Sequence, residues 1–137
     1  MKRLHYPLRT GMTILVRFPY GEQPYEPADV RPCIVIDPPQ PTDVGAYMRV
    51  AYGAGLGKTA NAGADLCIVS DKDMEHCGLD EPTRFSMRRT ALIPISARFL
   101  DLERRIILGA LPSWRMKEFQ ARLVQAGLRQ RAWRSAA

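Results

Sequence analysis

The stretch Gly53-Ala54-Gly55-Leu56-Gly57-Lys58-Thr59 is the first place where residue types and spacing suggest chemistry, because a glycine-rich turn ending in Gly-Lys-Thr can cradle phosphate. Its spacing argues against nucleotide hydrolysis. A P-loop needs four residues between its first glycine and the Gly-Lys pair, and counting back from Gly57 puts Tyr52 at that position. The residues that follow, 60–65, contain Gly63 and lead within a few positions into another strand, leaving no room for the helix whose N-terminus must hold the phosphate. The stretch therefore reads as a glycine-rich hairpin loop in which Lys58 and Thr59 can still touch a phosphate. Metal and triad chemistry have less support. His76 and Cys77 are adjacent, Cys33 and Cys67 lie in separate strands, and no pair has the zinc-site spacing of roughly two to four residues. Neither His5 nor His76 has a partner four residues on, and no Gly-x-Ser-x-Gly turn exists. No metal and no cofactor is expected.

A second candidate region is the loop of residues 19–27. Its prolines, Pro19, Pro24 and Pro27, keep it out of a central strand, which leaves Glu22, Gln23, Tyr25 and Glu26 free to meet a ligand. The elements that must position these groups are short. β-Branched and aliphatic runs predict strands at residues 13–18, 30–37, 47–52 and 66–69, with further strands at 83–88, 91–95 and 105–108. The cluster Pro38-Pro39-Gln40-Pro41 is expected to end the second strand. A short helix is predicted over 71–77, with Ser70 or Asp71 as N-cap and Gly78 as its left-handed stop. A longer amphipathic helix starts at Pro112-Ser113, places Met116, Phe119, Leu123 and Ala126 on one face, and stops at Gly127. Six or seven short strands and a closing helix argue for a mainly β protein with some α structure, a strongly bent antiparallel sheet or small barrel.

Length and charge bound this reading. A chain of 137 residues fits one domain with a modest core, here residues 1–128, followed by a basic tail, 129–137, without periodicity. No leader or membrane helix is read, so a soluble, cytoplasmic protein with reduced cysteines is expected. The net charge of +6 lies wholly in residues 98–137, which hold 9 Lys+Arg against 3 Asp+Glu, while residues 1–97 balance at 11 each. Such an excess fits either a polyanion-binding arm or a solvated helix face and tail.

The order of elements resembles a family. Gly11-Met12-Thr13-Ile14-Leu15-Val16-Arg17-Phe18-Pro19, a Pro-rich loop, and then Val30-Arg31-Pro32-Cys33-Ile34-Val35-Ile36 look like the opening of PemK/MazF-type toxins of type II toxin-antitoxin systems. Val50-Ala51-Tyr52-Gly53 is similar to their third strand. Gly78-Leu79 with Pro82-Thr83-Arg84-Phe85, and Ile107-Leu108-Gly109-Ala110-Leu111 before the last helix, resemble two later steps of the same family. The resemblance spans residues 11–128.

That resemblance implies an SH3-like antiparallel barrel closed by a C-terminal helix, a homodimer, a cognate antitoxin as partner, and metal-independent endoribonuclease activity on single-stranded RNA. Such chemistry needs a base for the ribose 2′-OH, a proton for the leaving 5′-oxygen, and cations for the phosphorane. Arginine suits the last task, because its planar fork holds two phosphate oxygens and stays charged. Arg31 matches the family's basic residue before proline, and Arg84 lies where related toxins present a catalytic arginine. The sequence departs from the pattern at Met12, where the family commonly has Asp, and at Ala54 and Gly55, where it has Thr or Ser. Thr59 is then the nearest hydroxyl. Ser86 stands where some members carry an acid, which leaves Glu22 as the candidate base. Gln23, Lys58, Ser86 and Arg88 are assigned to substrate binding. Loss of the family hydroxyl favours a second reading, a degenerate barrel that binds RNA or a protein partner without cutting. A third is an unrelated SH3-like interaction module, such as one encoded by a prophage.

Overall fold

The computed structural model describes residues 8–17, 30–43, 45–56, 64–96, 99–100 and 106–128. Six strands run through them: β1 (Met12–Arg17), β2 (Val30–Thr42), β3 (Gly45–Gly55), β4 (Asp65–Ile68), β5 (Thr83–Pro94) and β6 (Ile107–Ala110). A short helix, α1 (Asp71–Cys77), lies between β4 and β5, and a 3-10 turn (Ser113–Arg115) leads into α2 (Met116–Gln125). The strands form one antiparallel sheet in the order β4-β5-β3-β2-β1-β6. Among the described residues the sheet is open, with β4 and β6 as its outer strands, so the closed barrel expected from the sequence is not seen. Both outer strands have contacts with the helical part of the chain. The Arg115 guanidinium donates to the Cys67 carbonyl on β4 at 2.9 Å, and the backbone of α1 lies directly against β6 at Gly109.

Proline did not stop β2. The strand continues through Pro38, Pro39 and Pro41 to Thr42, against the predicted end at Asp37. Its ladder with β1 ends at Ile34, opposite Thr13, so the prolines lie where the sheet pairs β2 with β3 alone. The ladder with β3 also shifts between Asp37 and Gln40, and Pro38 and Pro39 occupy that irregularity, where no backbone donor is needed. The two strands predicted at 83–88 and 91–95 are likewise one strand. Its register with β3 jumps between Tyr52↔Ser86 and Ala51↔Thr90, leaving Met87, Arg88 and Arg89 as a bulge.

Each face of the sheet has its own core. On one, Ile14, Val16, Val35, Met48, Val50 and Ile93 pack with Leu8, Leu100 and Ile106. On the other, Ile34, Ile36, Ala51, Leu66, Phe85 and Met87 meet Cys77, Leu111, Phe119 and Leu123 from the helical side. Helix α1 has the predicted bounds and caps: Ser70 Oγ accepts from the Asp73 N–H at 3.2 Å, and Gly78 is left-handed at φ 65°. The Leu79 N–H then closes on the Met74 carbonyl at 2.9 Å, satisfying an orphan acceptor of the last turn. A Cβ on Gly78 would strike the Leu108 carbonyl, and one on Gly109 the His76 carbonyl, so two glycines allow backbone to meet backbone between α1 and β6. Thr13 Oγ1 adds a buried hydrogen bond to the Cys77 carbonyl at 2.6 Å. No helix among the described residues is long and apolar enough to cross a membrane.

Candidate functional site

Sheet register gathers the polar groups that chemistry can use. Asp65 on β4 and Tyr52 on β3 both lie opposite Ser86 on β5, and in the next row Cys67 and Ala54 both lie opposite Arg84. Directly paired residues project to the same face, so Asp65, Ser86, Arg84 and Cys67 share one side of the sheet. Asp65 is 5% exposed and Ser86 4%. The Arg84 side chain, 12% exposed, holds its Nε 3.6 Å from Asp65 Oδ2, an ion pair too long to be a hydrogen bond. Arg84 Nε, Asp65 Oδ1 and Ser86 Oγ are buried without hydrogen-bond partners. Three such atoms in one cluster are unusual, because a buried donor or acceptor left unmatched costs about 1–3 kcal/mol. Their grouping makes this the candidate site.

More cationic groups border this centre. The Arg89 guanidinium carbon lies 4.7 Å from the centroid of the Tyr52 ring, and Arg88 beside it is exposed on the β5 bulge. Arg31 is exposed at the start of β2, opposite Val16. Extending the β2–β3 ladder two residues from Cys33↔Tyr52 brings Arg31 level with Ala54, which is opposite Arg84. Arg31 and Arg84 thus belong to one row of the same face, two strands or roughly 10 Å apart.

Of the residues assigned from sequence, Arg31, Arg84, Ser86 and Arg88 fall on β2 and β5, with Arg84 and Ser86 in direct neighbourhood. Glu22, Gln23, Lys58 and Thr59, and the tail 129–137, lie outside the described residues. Sequence reasoning missed Asp65, which it left at the end of the glycine-rich loop. A carboxylate immediately before an aliphatic strand was the available signal, but only the register reveals that it faces Ser86. The adjacent strand thus places a carboxylate opposite Ser86.

The cysteines are free, with Cys33 and Cys77 buried and Cys67 partly so. Burial pushes the Cys33 thiol up to about 12, outweighing a hydrogen bond with the Gly53 backbone that acts in the opposite direction. Burial and then the Asp73 charge push Cys77 up to about 11. Thiols this weakly acidic are poor nucleophiles at neutral pH.

A second polar cluster braces the helical side. Arg115 donates to Asp73 Oδ2 at 2.6 Å, to Glu118 Oε2 at 3.0 Å and to the Cys67 carbonyl, joining α1, α2 and the β4 edge. Burial works to raise the Asp73 pKa, but hydrogen bonds involving Trp114, Arg115 and Ser70, with the Arg115 charge, hold it below its ordinary 3.8. A depressed carboxyl contributes stability that is present above that ordinary value and lost as pH falls through the folded one. Arg115→Ala is expected to lower stability by about 1.5–3 kcal/mol at pH 7, the scale of a charged hydrogen bond. Urea melts at pH 7 and below pH 3.8 check this: the deficit should shrink in acid, and a deficit independent of pH would show that the Asp73 pair is not its source. No protein-family model matches the chain, and no curated protein matches it.

Proposed function

We propose that the protein is a metal-independent endoribonuclease of the PemK/MazF kind, cutting single-stranded RNA at the Arg84–Asp65–Ser86 centre. The observation that carries this reading is the buried, unmatched trio itself, with Arg31 in the same row of the sheet. Asp65 accepts the proton of the ribose 2′-OH, the 2′-oxygen bonds to phosphorus, and the P–O5′ bond breaks. Ser86 donates its proton to the leaving 5′-oxygen and regains one from solvent. Arg84 stabilises the charge that builds on the phosphorane, and its fork is suited to two phosphate oxygens. An SH3-like barrel architecture belongs to the same proposal, on the family resemblance and the bulge that bends β5. RNA as substrate implies the cytoplasm, and the family resemblance adds a homodimer and an inhibiting antitoxin.

Incubation of the protein with single-stranded RNA in EDTA tests the proposal. Fragments ending in a 2′,3′-cyclic phosphate and a 5′-hydroxyl are expected, since the nucleophile belongs to the substrate. Products with 5′-phosphates would point to an activated water instead. Tight RNA binding with no cleavage would favour the binding-only reading, which Ala54 supports by placing a methyl group where the family hydroxyl would face Arg84.

A further inference from the structure

Trp114, on the helical side, is 52% exposed and yet held at three points. Its indole N–H donates to Asp73 Oδ1 at 2.9 Å. The His76 ring meets it edge-on, with centroids 4.9 Å apart and planes at 85°. The Lys72 ammonium lies 4.7 Å from the ring centroid. Asp73 is itself buried and fixed by Arg115. These contacts hold the half-exposed ring in one orientation with the Lys72 ammonium over it, so little ring freedom is lost when a ligand displaces the ammonium and stacks there.

We infer that Trp114, with Lys72 and His76, is a stacking platform for one unpaired nucleobase of an RNA strand, Lys72 taking the adjoining phosphate. The inference rests on the proposed function for its choice of RNA as occupant. Every base offers a π-face to an aromatic ring, and a nearby cation replaces a counterion on the backbone. A duplex hides its base faces within the helical stack. Charge alone does not mark this patch: exposed Asp71 and Glu75 on α1 offset Lys72 and the exposed Lys117 of α2. A partner drawn only by charge, such as an acidic peptide, gains little here, whereas stacking does not depend on net charge. The position fits as well. Arg115, next to Trp114, grips the Cys67 carbonyl, and the Cys67 side chain shares the row of Arg84. A strand leaving the Arg84 centre would have to pass over the β4 edge to meet the tryptophan on the other side of the sheet.

The test uses a fully 2′-O-methylated RNA oligonucleotide, which cannot be cut because it lacks the 2′-OH nucleophile. In a Trp133→Phe background Trp114 is the remaining tryptophan, and its fluorescence should be quenched as the oligonucleotide binds. Trp114→Ala should weaken affinity roughly 5- to 150-fold. Trp114→Phe should retain most of the affinity, which separates stacking from loss of the Asp73 hydrogen bond. Lys72→Gln should reduce the slope of log affinity against log salt by about one. These last two variants still decide the matter if Trp114→Ala does not fold. An unquenched Trp114, unchanged affinity in a folded Trp114→Ala protein, or quenching by poly-glutamate but not by the oligonucleotide would each overturn the inference. Failure of the cleavage proposal is read separately, as absent cyclic-phosphate products from unmodified RNA.

Discussion

Exchange of Arg84 for lysine is expected to slow RNA cleavage by ~10²–10³, with RNA affinity changed far less. Lysine keeps the positive charge beside Asp65, so the buried carboxylate is not left without a counter-charge. What disappears is the planar fork, and with it the two-point hold on phosphate oxygens that matters most when the phosphorane forms. Single-turnover rates at saturating RNA read this loss directly, because a kcat effect with an unchanged Kd identifies an interaction made in the transition state. Asp65→Asn is the companion variant. It preserves the shape of the carboxylate but cannot accept the 2′-OH proton, and should slow cleavage while leaving RNA affinity nearly unchanged. Arg31, exposed and two strands away, should respond to Arg31→Lys more weakly than Arg84. Cleavage that collapses in Arg31→Lys and survives in Arg84→Lys would move the catalytic role to the β2 arginine.

Phe119→Ala is expected to destabilise the protein by about 3–5 kcal/mol, the range for truncating a fully buried aromatic. Phe119 is completely buried and sits with Leu123 on the α2 face that meets Phe85, Leu66 and Met87. Removal of its ring leaves a void bounded by sheet residues that cannot readily follow the lost volume, since Phe85 lies on β5, which is paired on both sides. Denaturant melts should show the midpoint falling with an unchanged slope. A midpoint close to that of the parent protein would mean that α2 is not docked through this face. Val124→Ala, one residue beyond Leu123 on the exposed side of the helix, is the matched control.

What could be read from the sequence was what is decided locally. The bounds of α1 follow from Ser70 and Gly78, and the inward face of α2 from the spacing of Phe119 and Leu123, each within a few residues of chain. The extent of β2 was misjudged because a proline's effect depends on whether its missing N–H faces a partner strand, which residues 38–41 do not encode. The same holds for the site. Arg84 and Ser86 were visible from their place in a strand, but Asp65 joins them only through a register spanning 21 residues, Asp65↔Ser86. The Arg115–Asp73 brace, 42 residues apart, was equally invisible, although both residues are ordinary surface types by composition.

The separation of the two cores has a consequence for how the protein can change over generations. Val50 and Ala51 are consecutive, yet one contributes to the core below the Arg84 face and the other to the core beneath the helices. Substitutions that strengthen the helical half, at positions such as Leu123 or Leu111, share no packing neighbours with Val16, Val35 or Ile93. Their effects should add to within roughly 0.3–0.5 kcal/mol. A lineage can therefore build up a stability reserve on one side of the sheet and draw on it to tolerate destabilising substitutions on the other.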